Sequence, residues 1–367
     1  MVTLVLGLLS LSWLCAFLAL LLEAAHAVFA DYGPCRISIN GGAKELSVKG
    51  GGRLLGTLMD QGIFIPSACG GRGSCGLCKV RVLEGGGPLL PTETPYMNAQ
   101  EVADGTRLSC QVRVRTDLVI QIPEAFFLIR EFRARVVGLK PLTPFIKEVH
   151  LKLLDPPEIV FKPGQFIQFQ VPEYEGSPEP VYRAYSIASP ARLKNEIKLV
   201  ITRVERGVAT TYIHTLLKEG DEVRINGPYG DFYLRHSDRE MIMIGTGSGL
   251  APLMSILHHM ADEKIDRPCT LYFGVKSRQD LFYQEEIHEL GAKLSRFRYV
   301  PVLSQPLPED RWDGETGFVT DAVARDVTDG SRMEAYLCGN PLMINAAVKL
   351  LMERGVTEDR IFFDKFG

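Results

Sequence analysis

The chain has no basic excess: 41 lysines and arginines are set against 44 aspartates and glutamates, a formal net charge of −3. That balance leaves no electrostatic footprint for a phosphate backbone, so nucleic acid drops out as a partner. There is no internal repeat and no low-complexity tract, which argues against solenoids and long disordered tails. Eight cysteines in 367 residues are too sparse for the disulfide framework of a small secreted domain. Charge is missing altogether from Val2 to Leu22, a run of 21 residues that ends at Glu23. As a helix that run would be roughly 32 Å long, enough to cross the hydrocarbon core of a bilayer. Two other readings stay open: a cleaved signal peptide ending at Ala25-His26-Ala27, although no Lys or Arg precedes the run, and a buried core helix. Read as an anchor, residues 2–22 are followed by Arg36, Lys44, Lys49 and Arg53 and preceded only by the amino terminus. The positive-inside rule then places the rest of the chain in the cytoplasm.

What remains is ordinary globular composition, 46% hydrophobic and 23% charged, and long enough for two or three cores. Residues 1–30 read as the anchor, and residues 34–125 form a region rich in Gly and Cys. Within it, Arg36–Ile39 and Glu45–Val48 read as strands around Asn40-Gly41-Gly42, Leu54–Gln61 as a helix and Val112–Ile122 as a closing strand. Residues 129–235 carry strand-like runs at Phe132–Leu139, Ile146–Leu153, Gln165–Val171, Tyr182–Ala188 and Ile197–Arg203. They are spaced by Pro and Gly and interrupted by a helix at Ala209–Leu217, the rhythm of a small antiparallel barrel. Residues 238–367 alternate. Strands at Met241–Ile244, Cys269–Val275, Arg298–Leu303, Ala335–Leu337 and Arg360–Phe363 enclose helices at Ala251–Glu263, Asp280–Lys293 and Pro341–Arg354. That order predicts a parallel sheet covered on both faces.

Four cysteines fall in one pattern. Cys69, Cys75 and Cys78 lie on a glycine-rich loop and Cys110 follows after 31 intervening residues. Thiolates are soft donors, and four of them hold a [2Fe–2S] cluster. Gly70, Gly71, Gly73 and Gly76 let the backbone curl and turn N–H groups inward. The first gap is five residues where plant-type ferredoxins have four. A zinc site, which more often shows two C-x2-C pairs, and unligated core thiols are the alternatives. Cys15, Cys35 and Cys269 sit in apolar surroundings and read as packing residues.

Two further motifs point to nucleotides. On a barrel strand, Arg183 and Tyr185 share a face, where an Arg can fork onto a pyrophosphate and a Tyr can stack on a ring, and Ser186 could bond a flavin N5. Alone this is also an ordinary edge strand. Its partner is Gly207-Val208-Ala209-Thr210-Thr211, opening a helix whose free N–H groups suit a pyrophosphate. Pro163-Gly164-Gln165 and Gly227-Pro228-Tyr229-Gly230 flank the pair. Gly245-Thr246-Gly247-Ser248-Gly249-Leu250-Ala251-Pro252 lies between a strand and a helix. It is placed for a dinucleotide, although it is not G-x-G-x-x-G and a plain tight turn would look the same. Cys338-Gly339 closes a late strand, where open α/β sheets bind ligands; Cys338 reads as a nicotinamide-pocket residue or a core thiol.

Together these motifs, from about residue 36 to the end, resemble the ferredoxin–flavin–NAD reductase family. Within it they resemble the F subunits of sodium-translocating NADH:quinone oxidoreductases. The five-residue first gap and the ending Phe362-Phe363-Asp364-Lys365-Phe366-Gly367 carry that finer likeness. The resemblance implies an N-terminal transmembrane helix, a β-grasp [2Fe–2S] ferredoxin domain, an antiparallel β-barrel FAD domain and a Rossmann-like α/β NAD domain. It implies Cys69, Cys75, Cys78 and Cys110 as cluster ligands and Ser186, Cys338 and Asp364 as catalytic residues. It places FAD and NADH on Arg183, Tyr185, Ser186, Gly207, Val208, Ala209, Thr210, Phe366, Gly245, Thr246, Gly247, Gly249, Pro252, Cys338 and Gly339. The implied activity is an electron relay from NADH through FAD and the cluster to membrane subunits and on to quinone, at the cytoplasmic face of the inner membrane. Two departures stand out: a short segment between Arg203 and Gly207, and the Gly/Pro stretch at 85–91. A reductase feeding an oxygenase shares every redox motif but needs no anchor. A tethered ferredoxin with a degenerate flavin half is the non-enzyme alternative. For the coenzyme, Lys276 and Arg278 could meet a 2′-phosphate, Asp280 would repel one, and NADH is the expectation.

Overall fold

The computed structural model describes residues 11–21 and 32–366. Residues 11–21 are helical, and the rest of the expected anchor, with the Ala25–Ala27 cleavage reading, lies outside the described residues. Among the described residues no helix is long and apolar enough to cross a membrane. The chain forms two compact units, one of Met1–Ile65 with Gly71–Leu128, the other of Pro66–Gly70 with Ile129–Gly367.

The first unit is a mixed five-stranded sheet wrapped around a helix. Strands β1 (Pro34–Ile39), β2 (Lys44–Lys49), β3 (Lys79–Glu84), β4 (Thr106–Leu108) and β5 (Leu118–Gln121) lie in the order β2-β1-β5-β3-β4. The pairing β1–β5 is parallel and the other three are antiparallel. The helix Leu54–Asp60 turns Leu54, Leu55 and Leu58 into a core with Ile37, Ile39, Val80, Leu108 and Ile120. Each buried leucine contributes on the order of 1.5–3 kcal/mol. The expected strand Val112–Ile122 is shorter than its alternation suggests. Only Leu118–Gln121 pairs as a strand, because Thr116 and Asp117 break the run, while Val112 and Val114 are buried without joining the sheet.

The second unit begins with a six-stranded antiparallel sheet. Its strands are β6 (Arg130–Thr143), β7 (Ile146–Asp155), β8 (Phe166–Val171), β9 (Val181–Ser186), β10 (Glu196–Thr202) and β11 (Glu222–Tyr229), in the order β10-β7-β6-β11-β8-β9. A bridge between Ile187 and Leu199 joins the two edges, so the sheet closes into the expected barrel. The helix Val208–Thr215 packs Ala209 and Ile213 against the barrel core. β11 has no counterpart among the runs read from the sequence. Gly227-Pro228 lies inside it and reads as a strand breaker.

The remainder is a doubly wound parallel sheet. Strands β12 (Glu240–Thr246), β13 (Cys269–Val275), β14 (Phe297–Leu303), β15 (Glu315–Thr316), β16 (Met333–Gly339) and β17 (Ile361–Lys365) lie in the order β15-β14-β13-β12-β16-β17, every pair parallel. Successive residues of β12 face opposite layers. Met241 and Met243 pack with the helices Leu250–Asp262 and Gln284–Lys293, whereas Ile242 and Ile244 pack with Val319–Asp326 and Pro341–Glu353. The helix expected from Asp280 starts at Gln284, because Tyr283 takes a left-handed φ of 58° and caps it. The strand order reverses between β12 and β16, which opens a crevice at the carboxyl ends of these two strands.

Candidate redox site

The cysteine loop is shaped by its glycines. Gly71, Gly73 and Gly76 have φ of 85°, 77° and 71°, conformations that side chains rarely adopt. Cys78 and Cys110 are buried, and Cys75 is half-buried. Arg53 ties the loop to the turn at Cys110, donating from Nη1 to Gly71 O at 3.1 Å and to Cys110 O at 2.9 Å. A hydrogen bond with Cys110, and then burial, push the Cys78 thiol well up. Cys69 is also buried; it sits in Pro66–Gly70, the segment that groups with the second unit. Among the described residues no three His, Cys, Asp or Glu side chains are gathered closely enough to hold one metal ion. Thiolates are soft donors, and two on each iron would hold a binuclear cluster. The soft donor set on a glycine-rich loop fits the cluster.

The motif Arg183-Ala184-Tyr185-Ser186 ends β9. Ser186 is 3% exposed, and its Oγ has no hydrogen-bond partner among the described residues. A buried hydroxyl left alone is costly, and an acceptor such as a flavin nitrogen would satisfy it. The Tyr185 ring meets Phe169 edge-on at 6.4 Å, and burial pushes its phenol pKa up. Arg183 Nη1 donates to Tyr182 O at 2.7 Å and lies so close to Gly70 that a Cβ there would stand 2.0 Å from it. Gly207 caps the helix Val208–Thr215 without a side-chain cap, which leaves its first N–H groups for an anion. The Thr210 hydroxyl is engaged otherwise. It donates to Gly207 O and Val204 O, both at 3.2 Å, and accepts from Val204 N at 3.1 Å, so it braces the loop and leaves its backbone N–H as the group a phosphate could use.

At the crevice of the parallel sheet, Gly245 and Thr246 end β12, Gly247–Gly249 form a single 3-10 turn, and Leu250–Asp262 follows as a helix. Pro252 sits in the first helical turn, where its missing N–H is no loss. Two of these glycines are matters of space. A Cβ on Gly249 would lie 2.2 Å from Cys338 O, and one on Gly339 would lie 2.3 Å from Thr246 Oγ1. Cys338 is fully buried; burial first, and the charge of Asp364 second, push its thiol up. Asp364 is half-buried, and burial raises its pKa to about 6. Phe366 continues past β17, its N–H donating to Gly339 O at 3.0 Å. One contact was not foreseen: Thr202 at the end of β10 donates to Ser248 Oγ at 2.9 Å, which links the barrel to the glycine turn. No local pattern marks that pair, because its members lie far apart in the chain.

Three family models match. The 2Fe-2S iron-sulfur cluster binding domain covers residues 37–115, the oxidoreductase FAD-binding domain 136–233 and the oxidoreductase NAD-binding domain 243–349. The F subunit of the Na(+)-translocating NADH-quinone reductase of Neisseria meningitidis is 36% identical over 403 aligned positions, covering 99% of each chain. The chain belongs to this family of F subunits. The corresponding protein of Serratia proteamaculans is 35% identical, again with 99% of each chain covered. Among solved structures, a cytochrome P450 reductase of Amycolatopsis is 31% identical with a TM-score of 0.73, covering 90% of this chain and 98% of its own. The ferredoxin reductase in carbazole 1,9a-dioxygenase is 27% identical with a TM-score of 0.69, at 91% and 98% coverage. As a member of the NADH-quinone reductase family with these three domains, the protein is an oxidoreductase whose cofactors are NADH, FAD and a [2Fe–2S] cluster.

Proposed function

We propose that this protein is the NADH-oxidising component of a membrane-bound, sodium-translocating NADH:quinone reductase. Electrons pass from NADH through FAD and the cluster to a membrane partner and on to quinone. The observation that carries the reading is likeness to the Neisseria protein over 99% of both chains, which takes in the order of all three redox domains. When bound, FAD supplies the change from two-electron hydride chemistry to the single-electron chemistry of the iron–sulfur centre.

The chain's own residues then have separable tasks. Arg183 and the N–H groups of Val208, Ala209 and Thr210, opened by Gly207, hold a pyrophosphate, while Tyr185 and Phe366 bound the flavin ring. Ser186 offers its unpaired hydroxyl to the reacting edge of that ring. Gly245, Thr246, Gly247, Gly249 and Pro252 form the floor for the nicotinamide dinucleotide. Cys338 and Gly339 would enclose the nicotinamide with a buried, protonated thiol, and the half-buried Asp364 carboxyl stands beside them. Cys69, Cys75, Cys78 and Cys110 hold the cluster. Residues 1–30, with the span 2–22, hold the chain to the bilayer, and the domains at 34–125, 129–235 and 238–367 stand on the cytoplasmic side. A second reading, a reductase that feeds an oxygenase, draws support from the likeness to the Amycolatopsis and carbazole-dioxygenase reductases.

The test is made on membranes of cells that produce the protein. Deletion of residues 1–30 should leave NADH:ferricyanide reduction by the released protein intact and abolish sodium-stimulated NADH:quinone reduction by the membranes. Quinone reduction that survives the deletion, together with loss of an oxygenase activity in cells lacking the gene, would favour the second reading.

A further inference from the structure

We propose that Ser109 is a positioning residue for the iron–sulfur centre: its hydroxyl donates a hydrogen bond to the Cys78 sulfur of the loaded protein and so raises the reduction potential of the cluster. The inference rests on the assignment of Cys69, Cys75, Cys78 and Cys110 as ligands.

Ser109 is 0% exposed, and its Oγ has no hydrogen-bond partner among the described residues. A buried hydroxyl without a partner is expensive, and folded chains seldom keep one that serves nothing. The main chain fixes its place. Ser109 N donates to Cys78 O at 2.8 Å, and Ser109 O accepts from Leu55 N at 3.1 Å, which locks the residue between a ligand cysteine and the helix Leu54–Asp60. No regular hydrogen bond engages the hydroxyl, yet it lies near enough to Cys78 to pull that thiol's pKa down. As a cluster ligand the Cys78 sulfur would be a thiolate, a stronger hydrogen-bond acceptor than a thiol. The Ser109 O–H is then the donor waiting beside it.

The consequence is electrostatic. One-electron reduction makes the centre more negative, part of that charge falls on the ligand sulfurs, and a donor to sulfur stabilises the reduced state more than the oxidised one. No bond forms or breaks and Ser109 gives up no proton; the added electron comes from the flavin.

The experiment uses the full chain purified with its cofactors, as wild type, Ser109→Ala, Ser109→Gly and Ser109→Thr. Iron and acid-labile sulfide per chain, with the spin count of the reduced protein, come first. A wild-type protein that binds no cluster overturns the ligand assignment and says so separately. With the cluster bound, potentiometric titration should show the alanine variant about tenfold less favourable to reduce, a downward shift of about 59 mV for one electron. The threonine variant should keep the wild-type midpoint, and the flavin potentials should not move in any variant. Pulsed EPR after exchange into deuterium oxide should show one deuteron coupling lost in the alanine variant and kept in the threonine variant. The glycine variant serves the same comparison if the alanine protein fails to hold its cluster. A fully loaded alanine or glycine variant with an unchanged midpoint overturns the proposal, as does a threonine variant that shifts as far as alanine.

Discussion

Asp364 stands opposite Cys338 across the parallel ladder of β16 and β17. Burial raises the Asp364 carboxyl to about 6, and its charge adds to the burial that keeps the Cys338 thiol protonated. The pair puts a neutral sulfur and a carboxyl poised near neutrality at the carboxyl end of the switch-point strands, where a nicotinamide would lie.

This pair predicts a pH dependence of stability. An aspartate titrates near 3.9 in the unfolded chain and at about 6 here, so between these values the folded protein binds more protons than the unfolded one. Stability should therefore fall as pH rises from about 4 to about 6, and Asp364 should add no further slope above that. The loss is on the order of 1–3 kcal/mol, toward the lower end because the carboxyl is half-buried. Asp364→Asn should flatten that part of the profile in denaturation of the apoprotein at a series of pH values. An unchanged slope in the variant would remove Asp364 as its source.

A second prediction concerns a buried ion pair in the first unit. Glu93 is fully buried and meets Arg107 at 2.7 Å; Arg107 also donates to the carbonyls of Gly86, Gly87 and Pro88 at 2.9 Å. Burial alone would raise Glu93, but the bonds from Arg107 and from the N–H groups of Leu90 and Leu108 offset it and hold the carboxylate low. Thus the Gly/Pro stretch at 85–91, unusual on sequence grounds, is gripped by one guanidinium. Removing one partner leaves a buried charge uncompensated and should cost about 3–5 kcal/mol. Glu93→Ala should bleach the visible cluster absorption at a clearly lower temperature and expose the 85–91 stretch to protease. The double variant Glu93→Leu with Arg107→Met should recover part of the loss. A single variant as heat-resistant as the wild type would contradict this account.

How much of this was legible follows from distance along the chain. The barrel strands, the alternating βα units and the cysteine loop are written in local patterns, and Ser186 could be picked out because its neighbours Arg183 and Tyr185 give it context. β11 was hidden by Gly227-Pro228, and β15 by having only two residues. The turn carrying Gly249 reads from the sequence as a dinucleotide seat, and Gly339 as a neighbour of the nicotinamide pocket at Cys338. In the fold the two glycines first serve the close approach of strand ends some 90 residues apart, which no window on the sequence contains. Ser109 stands directly before Cys110 but belongs to no motif, and burial without a partner is what singles it out.

The close approach of these strand ends gives a third prediction. A methyl on Gly249 would collide with the Cys338 carbonyl, so Gly249→Ala must push the glycine turn away from β16. Overpacking of this kind typically costs 1–3 kcal/mol. FAD and cluster content should be retained, since Gly249 lies in the nucleotide half, while the KM for NADH rises about tenfold or more. Steady-state kinetics with ferricyanide, alongside flavin and iron determination, measure both. A variant with normal KM would show that the turn does not touch the dinucleotide.

The last prediction is the choice of coenzyme. A 2′-phosphate carries nearly two negative charges and needs cations in a fixed fork. After β13 the chain offers Lys276 and Arg278, but the structure has already committed one of them. Arg278 Nη1 donates to the Asp310 carbonyl at 2.9 Å, and its N–H reaches Asp310 Oδ2 at 3.2 Å. Asp280 folds back onto Ser277, accepting from its N–H and its hydroxyl at 3.0 Å, so a carboxylate occupies the end of the strand. Lys276 alone is a flexible point charge in solvent, worth little against that carboxylate. The kcat/KM for NADH should therefore exceed that for NADPH by tenfold or more. Asp280→Ala should narrow the gap by relieving the repulsion, and Lys276→Ala should lower NADPH use without changing NADH use. A wild-type ratio at or below one would reverse the assignment and make Lys276 and Arg278 the phosphate ligands.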